Sequence, residues 1–233
     1  MPHLSATPDL AAVLWDMDGT IVDTEPYWIT AELDMAAEYG GQWDEQLATD
    51  LIGMPLENSA RELQQRAGFP GTIPEIIDEL IARVVHLIHT QGLPWRPGAR
   101  ELLEELRAAG VPCALVTMSW QRLAEVALAG IEPGTFQSVV TGDQVTHGKP
   151  HPEPYLRAIR ALEVNPAHCV AIEDSLPGIA SATASGARVL AVEAKVPVPA
   201  APGRNRLASL SQVTMADLQQ MVGGRHYDLL PAD

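Results

Sequence analysis

Cysteine is scarce in this sequence, with two residues, Cys113 and Cys169, among 233. Each sits inside an apolar, strand-like run, which predicts buried free thiols rather than a disulfide or a cysteine-based metal site. Basic residues are few, 15 against 30 acidic ones, for a formal net charge of −15. That balance repels nucleic acid and anionic membrane, so neither is expected as a partner. Any anionic substrate then requires a local positive site. No uninterrupted apolar stretch approaches the ~20 residues of a membrane span. The segment Met1 to Asp9 has neither a basic start nor an apolar run, so no signal peptide is expected and a cytoplasmic location is. Internal repeats are lacking as well. Against these absences, 46% apolar and 19% charged residues describe an ordinary folded globule with enough length for a sizeable core.

The most informative segment is Val13-Leu14-Trp15-Asp16-Met17-Asp18-Gly19-Thr20. Ala11 to Trp15 is apolar without alternation, as suits a strand buried on both faces in a parallel sheet. Ligands bind such sheets at the carboxyl ends of the strands. Two carboxylates there repel unless a positive group lies between them, and a hard cation such as Mg²⁺ meets that need with oxygen ligands. Gly19 lets the backbone turn sharply and approach a ligand closely. The same residues also read as an acidic turn after a strand.

Downstream the pattern is helical. Ile29, Leu33 and Ala37 recur at four-residue spacing before Gly40-Gly41, and Leu56, Ala60, Leu63 and Ala67 before Gly68. Ile76, Ile77, Leu80, Ile81, Val84, Val85 and Ile88 form a broader face ending near Gly92. These segments predict an all-helical insertion, residues 24–93, between core segments 1–23 and 94–233. Beyond a helix carrying Leu102, Leu103 and Leu106, short apolar runs at Val111 to Thr117, Ser138 to Val140, Cys169 to Ile172 and Arg188 to Val192 read as buried strands. Helical segments fall between them, so the fold class expected is α/β: a Rossmann-like parallel sheet with helices on both faces. Val196 to Pro202 reads as a Pro-rich surface loop and Met215 to Met221 as a last short helix.

Three further segments place polar residues just beyond predicted strands. Thr117-Met118-Ser119 offers hydroxyl and backbone N–H groups suited to phosphate oxygens. Lys149, in Gly148-Lys149-Pro150, is a fixed cation in an acidic chain, and Glu173-Asp174 is a second acidic pair. Singly, these also read as a helix cap, a solvated loop charge and an acidic turn.

Together, in this order, they resemble the four signature motifs of the haloacid dehalogenase superfamily of phosphatases. The matches are Asp16-Met17-Asp18-Gly19-Thr20, Thr117, Lys149 within Gly-Lys-Pro-His-Pro-Glu-Pro-Tyr, and Glu173-Asp174-Ser175 followed by Gly178 and Ser185-Gly186. The helical insertion resembles the small cap of the branch that contains phosphoglycolate phosphatases and β-phosphoglucomutases. The resemblance implies that Asp16 is a nucleophile forming an aspartyl phosphate, and that Asp18 protonates the leaving oxygen and then deprotonates water. Keeping an aspartate of ordinary pKa near 3.9 protonated at neutrality costs roughly 4 kcal/mol, which gives a water-excluding cap a physical purpose. It further implies Mg²⁺ held by Asp16, the Asp18 carbonyl, Asp174 and Glu173, the last directly or through water. Lys149, Thr117 and the backbone of Met17 and Met118 would bind the phosphoryl group.

The cap departs from the sugar phosphomutases. Their cap histidine, twelve residues after the nucleophile, corresponds to Trp28, and their cationic loop positions correspond to Ile52 and Leu56 around Gly53. A bisphosphate intermediate calls for cationic contacts, for which Arg61 is the nearby candidate. Hydrolysis of a small phosphorylated metabolite is therefore expected, with Glu25, Trp28, Asn58 and Arg61 as cap residues for substrate. Phosphomutase activity is the alternative. A dehalogenase would not need Asp18, and a binding protein that had lost turnover would lack one of the motif residues. A monomer is expected.

Overall fold

The computed structural model describes residues 9–51 and 56–231. It divides into two compact units: one ends at Asp23 and resumes at Trp95, and the other runs Thr24–Pro94.

The first unit opens with β1 (Ala12–Trp15), whose four residues are all buried. In the second unit, α1 (Glu25–Glu38), α2 (Glu45–Asp50), α3 (Leu56–Arg66) and α4 (Ile73–Gln91) follow. The first unit then continues with α5 (Ala99–Ala108), β2 (Cys113–Val116), α6 (Gln121–Ala129), β3 (Ser138–Val140), α7 (Glu153–Leu162), β4 (Cys169–Glu173), α8 (Leu176–Ala184), β5 (Arg188–Val192), β6 (Asn205–Leu207) and α9 (Met215–Val222).

The six strands among the described residues are parallel in the order β3-β2-β1-β4-β5-β6. A parallel sheet with helices on both faces is the fold class that the sequence pattern predicts. The register sets Trp15 beside Leu115 and Ile172, so β1, β2 and β4 end at one level. The strand order reverses direction between β1 and β4, the place where ligands lodge in such sheets. One face is sealed by α7 and α8, whose Tyr155, Ala158, Ile159 and Ala182 join Leu14, Ala114, Val116 and Ala171. Cys113 and Cys169 are free and buried, as expected.

Two elements lack a sequence signal. β6 is only three residues, Asn-Arg-Leu, too short and polar for any periodicity. It is nonetheless buried because Arg206, 2% exposed, bonds Asp228 through Nε and Nη2 at 3.1 Å each and the Val198 carbonyl at 2.8 Å. α2 is one and a half turns set by its Asp44 cap, which accepts from the Leu47 N–H at 2.9 Å. β2 begins at Cys113 rather than Val111 because Pro112 cannot donate to a ladder.

In the helical unit the apolar face of α4 is buried at Ile76, Ile77, Leu80, Ile81, Val84 and Ile88. Its start is fixed by Glu75, which accepts from the Thr72 N–H at 2.7 Å. Within this packing lies Glu32 of α1, only 4% exposed. Burial pushes its carboxyl up to about 7, partly offset by a hydrogen bond from Ser59. Between pH 4.5 and about 7 the folded chain holds a proton that the unfolded chain has released, so stability falls across that window and stays lowered above it. Glu32→Gln is therefore expected to stabilise the protein at about pH 8, with the gain vanishing below about pH 4.5. Urea unfolding at both pH values checks this; equal gains would contradict it.

Candidate active site

The site begins at the turn after β1. The Met17 carbonyl accepts from the N–H groups of Thr20, Ile21 and Val22 at 3.3, 2.9 and 3.1 Å, folding the chain back on itself. Gly19 sits there with φ +87°, a region L side chains rarely adopt. A Cβ at this position would lie 2.1 Å from Asp174 Oδ2, so the turn and the second acidic segment press together.

Lys149 lies at the centre, its side chain 5% exposed. Its Nζ donates to Asp16 Oδ1 at 2.6 Å, to Glu173 Oε1 at 2.6 Å and to the Val116 carbonyl at 2.9 Å. All three ammonium protons are thus engaged, one each by an acceptor at the end of β1, β2 and β4. Burial alone would lower the lysine pKa, but Asp16 and Glu173 outweigh it and hold the group charged.

Glu173 is fully buried and held from four directions. Oε1 also accepts from the Tyr155 hydroxyl at 2.7 Å, while Oε2 accepts from Ser175 Oγ at 3.0 Å and the Ser175 N–H at 3.2 Å. Gly178 completes this seat: a Cβ there would fall 1.9 Å from Glu173 Oε1. Ser175 in turn caps α8 by accepting from the Gly178 N–H at 3.2 Å.

Asp18 leaves this buried cluster, and its Oδ2 accepts from Ser119 Oγ at 2.6 Å. Thr117, 1% exposed, accepts the Ser119 N–H on Oγ1 at 2.9 Å, which leaves its hydroxyl proton to be donated elsewhere. The side chain of Met17 is buried and that of Met118 is exposed.

Asp16, Glu173 and Asp174 offer ligand oxygens within 4.8 Å of one another. Three carboxylates against one ammonium leave an excess of negative charge. Burial, then the neighbouring Glu173, pushes Asp174 up to about 7. Asp16 is also raised well above its usual range, by burial first and by Glu173 and Asp174 next, with Lys149 opposing. A hard divalent cation would relieve this excess, and the all-oxygen donor set fits Mg²⁺.

The sequence-predicted core residues Asp16, Lys149, Glu173 and Asp174 are thus brought together, with Thr117 and Asp18 joined through Ser119. In the helical unit Asn58 and Arg61 approach each other, Arg61 Nη1 donating to Asn58 Oδ1 at 3.4 Å. They line a cavity of about 370 Å³ with Trp43, Leu47, Leu51 and Arg66. Glu25 and Trp28 stand half-buried in the first turn of α1, and neither lines that cavity. Leu56 opens α3, whereas Ile52 and Gly53 lie outside the described residues. Ser119, Tyr155 and Ser175 stand within the motif segments read from the sequence, but sequence reasoning gave none of them a role of its own. Tyr155 follows Lys149 by six positions and reads as an ordinary core residue of an amphipathic helix.

Comparison with known proteins identifies the family. The family profile described as haloacid dehalogenase-like hydrolase matches residues 13–192. Hexitol phosphatase B of Escherichia coli is 29% identical over 92% of this chain and 99% of its own length. The phosphorylated carbohydrates phosphatase of Thermotoga maritima is 34% identical over 76% of this chain and 82% of its own. Among solved structures, CbbY from Rhodobacter sphaeroides in complex with phosphate superposes with a TM-score of 0.77 at 29% identity, covering 87% of this chain and 96% of that one. The chain belongs to the haloacid dehalogenase-like hydrolases.

Proposed function

We propose that this protein is a Mg²⁺-dependent phosphatase that hydrolyses a small phosphorylated metabolite of the sugar or polyol phosphate class. The observation that carries the reading is Lys149 Nζ held at 2.6 Å from both Asp16 and Glu173 at the strand ends. This arrangement sets a fixed cation beside Asp16, the proposed nucleophile, in an acidic protein. The hexitol and carbohydrate phosphatases that it matches over most of its length support the substrate class.

In the proposed reaction Asp16 attacks phosphorus and an aspartyl phosphate forms as the ester P–O bond breaks. With Oδ1 engaged by Lys149, Oδ2 is the attacking oxygen. The leaving alkoxide takes a proton from Asp18, which Ser119 orients. Water then attacks the same phosphorus, giving its proton to Asp18 and releasing inorganic phosphate and the Asp16 carboxylate. Thr117 and the N–H groups of Met17 and Met118 orient the phosphoryl oxygens. Asp16, Asp174 and the Asp18 carbonyl, with Glu173 behind them, would hold Mg²⁺, which supplies neutralisation of phosphoryl charge when bound. Glu25, Trp28, Asn58 and Arg61 are the cap residues proposed for recognition of the rest of the substrate.

Phosphate release from a panel of p-nitrophenyl phosphate, hexitol phosphates, hexose phosphates and phosphoglycolate tests this. Release from a hexitol or sugar phosphate, abolished by chelation and restored by Mg²⁺, is the expected result. No release from any compound would overturn the reading, and isomerisation of a sugar phosphate without release would favour the mutase.

A further inference from the structure

A second group of metal-ligating side chains flanks the turn that presents Lys149. His147, His151 and Glu153 each place one ligand atom within 4.8 Å of the others. Glu153 is fixed before any ligand arrives: its Oε1 accepts from the Thr146 N–H at 2.8 Å and its Oε2 from the His147 N–H at 3.0 Å. His147 Nδ1 lies 3.0 Å from the same Oε2, and the rings of His147 and His151 stand 4.7 Å apart at 35°. The His151 N–H donates to the Gly148 carbonyl at 2.9 Å, closing the turn between the two histidines. Both histidines are exposed, so an ion can reach them from solvent.

We infer that His147, His151 and Glu153 form a binding site for a borderline divalent transition-metal ion, zinc or its chemical neighbours, separate from the carboxylate cluster. Two imidazoles and one carboxylate suit Zn²⁺, Co²⁺, Ni²⁺ or Cu²⁺, whereas Mg²⁺ prefers the all-oxygen set of Asp16, Glu173 and Asp174. The two clusters would therefore sort cations by ligand chemistry. An ion at the histidine site joins positions 147 and 151, two residues to either side of Lys149, and ties together the ends of the turn. This holds whether or not the chain turns over phosphate esters.

Calorimetric titration of Zn²⁺ into the whole protein, with Mg²⁺ in large excess, tests the site directly. One equivalent of zinc is expected to bind to the wild-type protein and to Asp16→Asn alike. His147→Ala and His151→Ala should each weaken it by about tenfold or more, and the double variant should lose it. Ring nitrogen resonances of both histidines should shift on zinc addition. Zinc uptake that survives the double substitution, or that Mg²⁺ competes away, would place the ion on the carboxylates and overturn the inference. Circular dichroism of the variants separates lost binding from lost folding.

Discussion

Asp16→Asn is expected to abolish phosphate release, by more than about 10³-fold, while leaving the protein folded and at least as stable as wild type in the absence of metal. The kinetic half follows from chemistry: an amide oxygen is too poor a nucleophile to form the acyl phosphate. The stability half follows from the electrostatics of the cluster. Asp16 is buried beside Glu173 and Asp174, and burial with those two charges disfavours its ionised form despite Lys149. Asparagine keeps an acceptor for the Lys149 ammonium and removes one charge from the crowd. Phosphate-release assays and thermal unfolding without metal check both halves. Residual turnover within tenfold of wild type would refute the nucleophile assignment.

Lys149→Met is expected to lose turnover as completely but to move stability the other way. The lysine is the cation shared by two buried carboxylates at 2.6 Å, and removing one partner of such a contact costs about 3–5 kcal/mol. Burial and the neighbouring carboxylates hold Asp16 well above its usual range, so its protonation can relieve part of that loss at low pH and the destabilisation should grow as pH rises. Combining Asp16→Asn with Lys149→Met should recover part of the loss, since one stranded charge is then gone. Urea unfolding of the two single variants and the double variant measures this coupling. A strictly additive cycle would show that the lysine does not stabilise the fold through Asp16.

The sequence made some features legible for clear physical reasons. β1 and β4 are apolar runs that end in acids, and a parallel strand buried on both faces announces itself by continuous hydrophobicity. The long amphipathic face of α4 is equally plain, because six buried positions repeat at helical spacing. What escaped was set by contacts between distant segments. Arg206 is buried in a strand because Asp228 and two backbone carbonyls meet it, and nothing in Asn205-Arg206-Leu207 hints at that. Ser119 meets Asp18 across 101 positions of sequence, so the segment Thr117-Met118-Ser119 could be read as suited to phosphate oxygens but not as a partner of Asp18. Tyr155 was hidden by serving twice: its ring fills the core while its hydroxyl reaches Glu173. Periodicity detects the first role and is blind to the second.

The second acidic pair rests on two glycines that carry no chemistry of their own. Asp174 fills the space where Gly19 lacks a methyl group, and Glu173 fills the corresponding space at Gly178. One glycine comes from the turn after β1, the other from the first turn of α8. The transplantable part is therefore larger than a pair of acids at the end of a strand. A protein given Glu-Asp there without both glycines would acquire the charges but have nowhere to seat them.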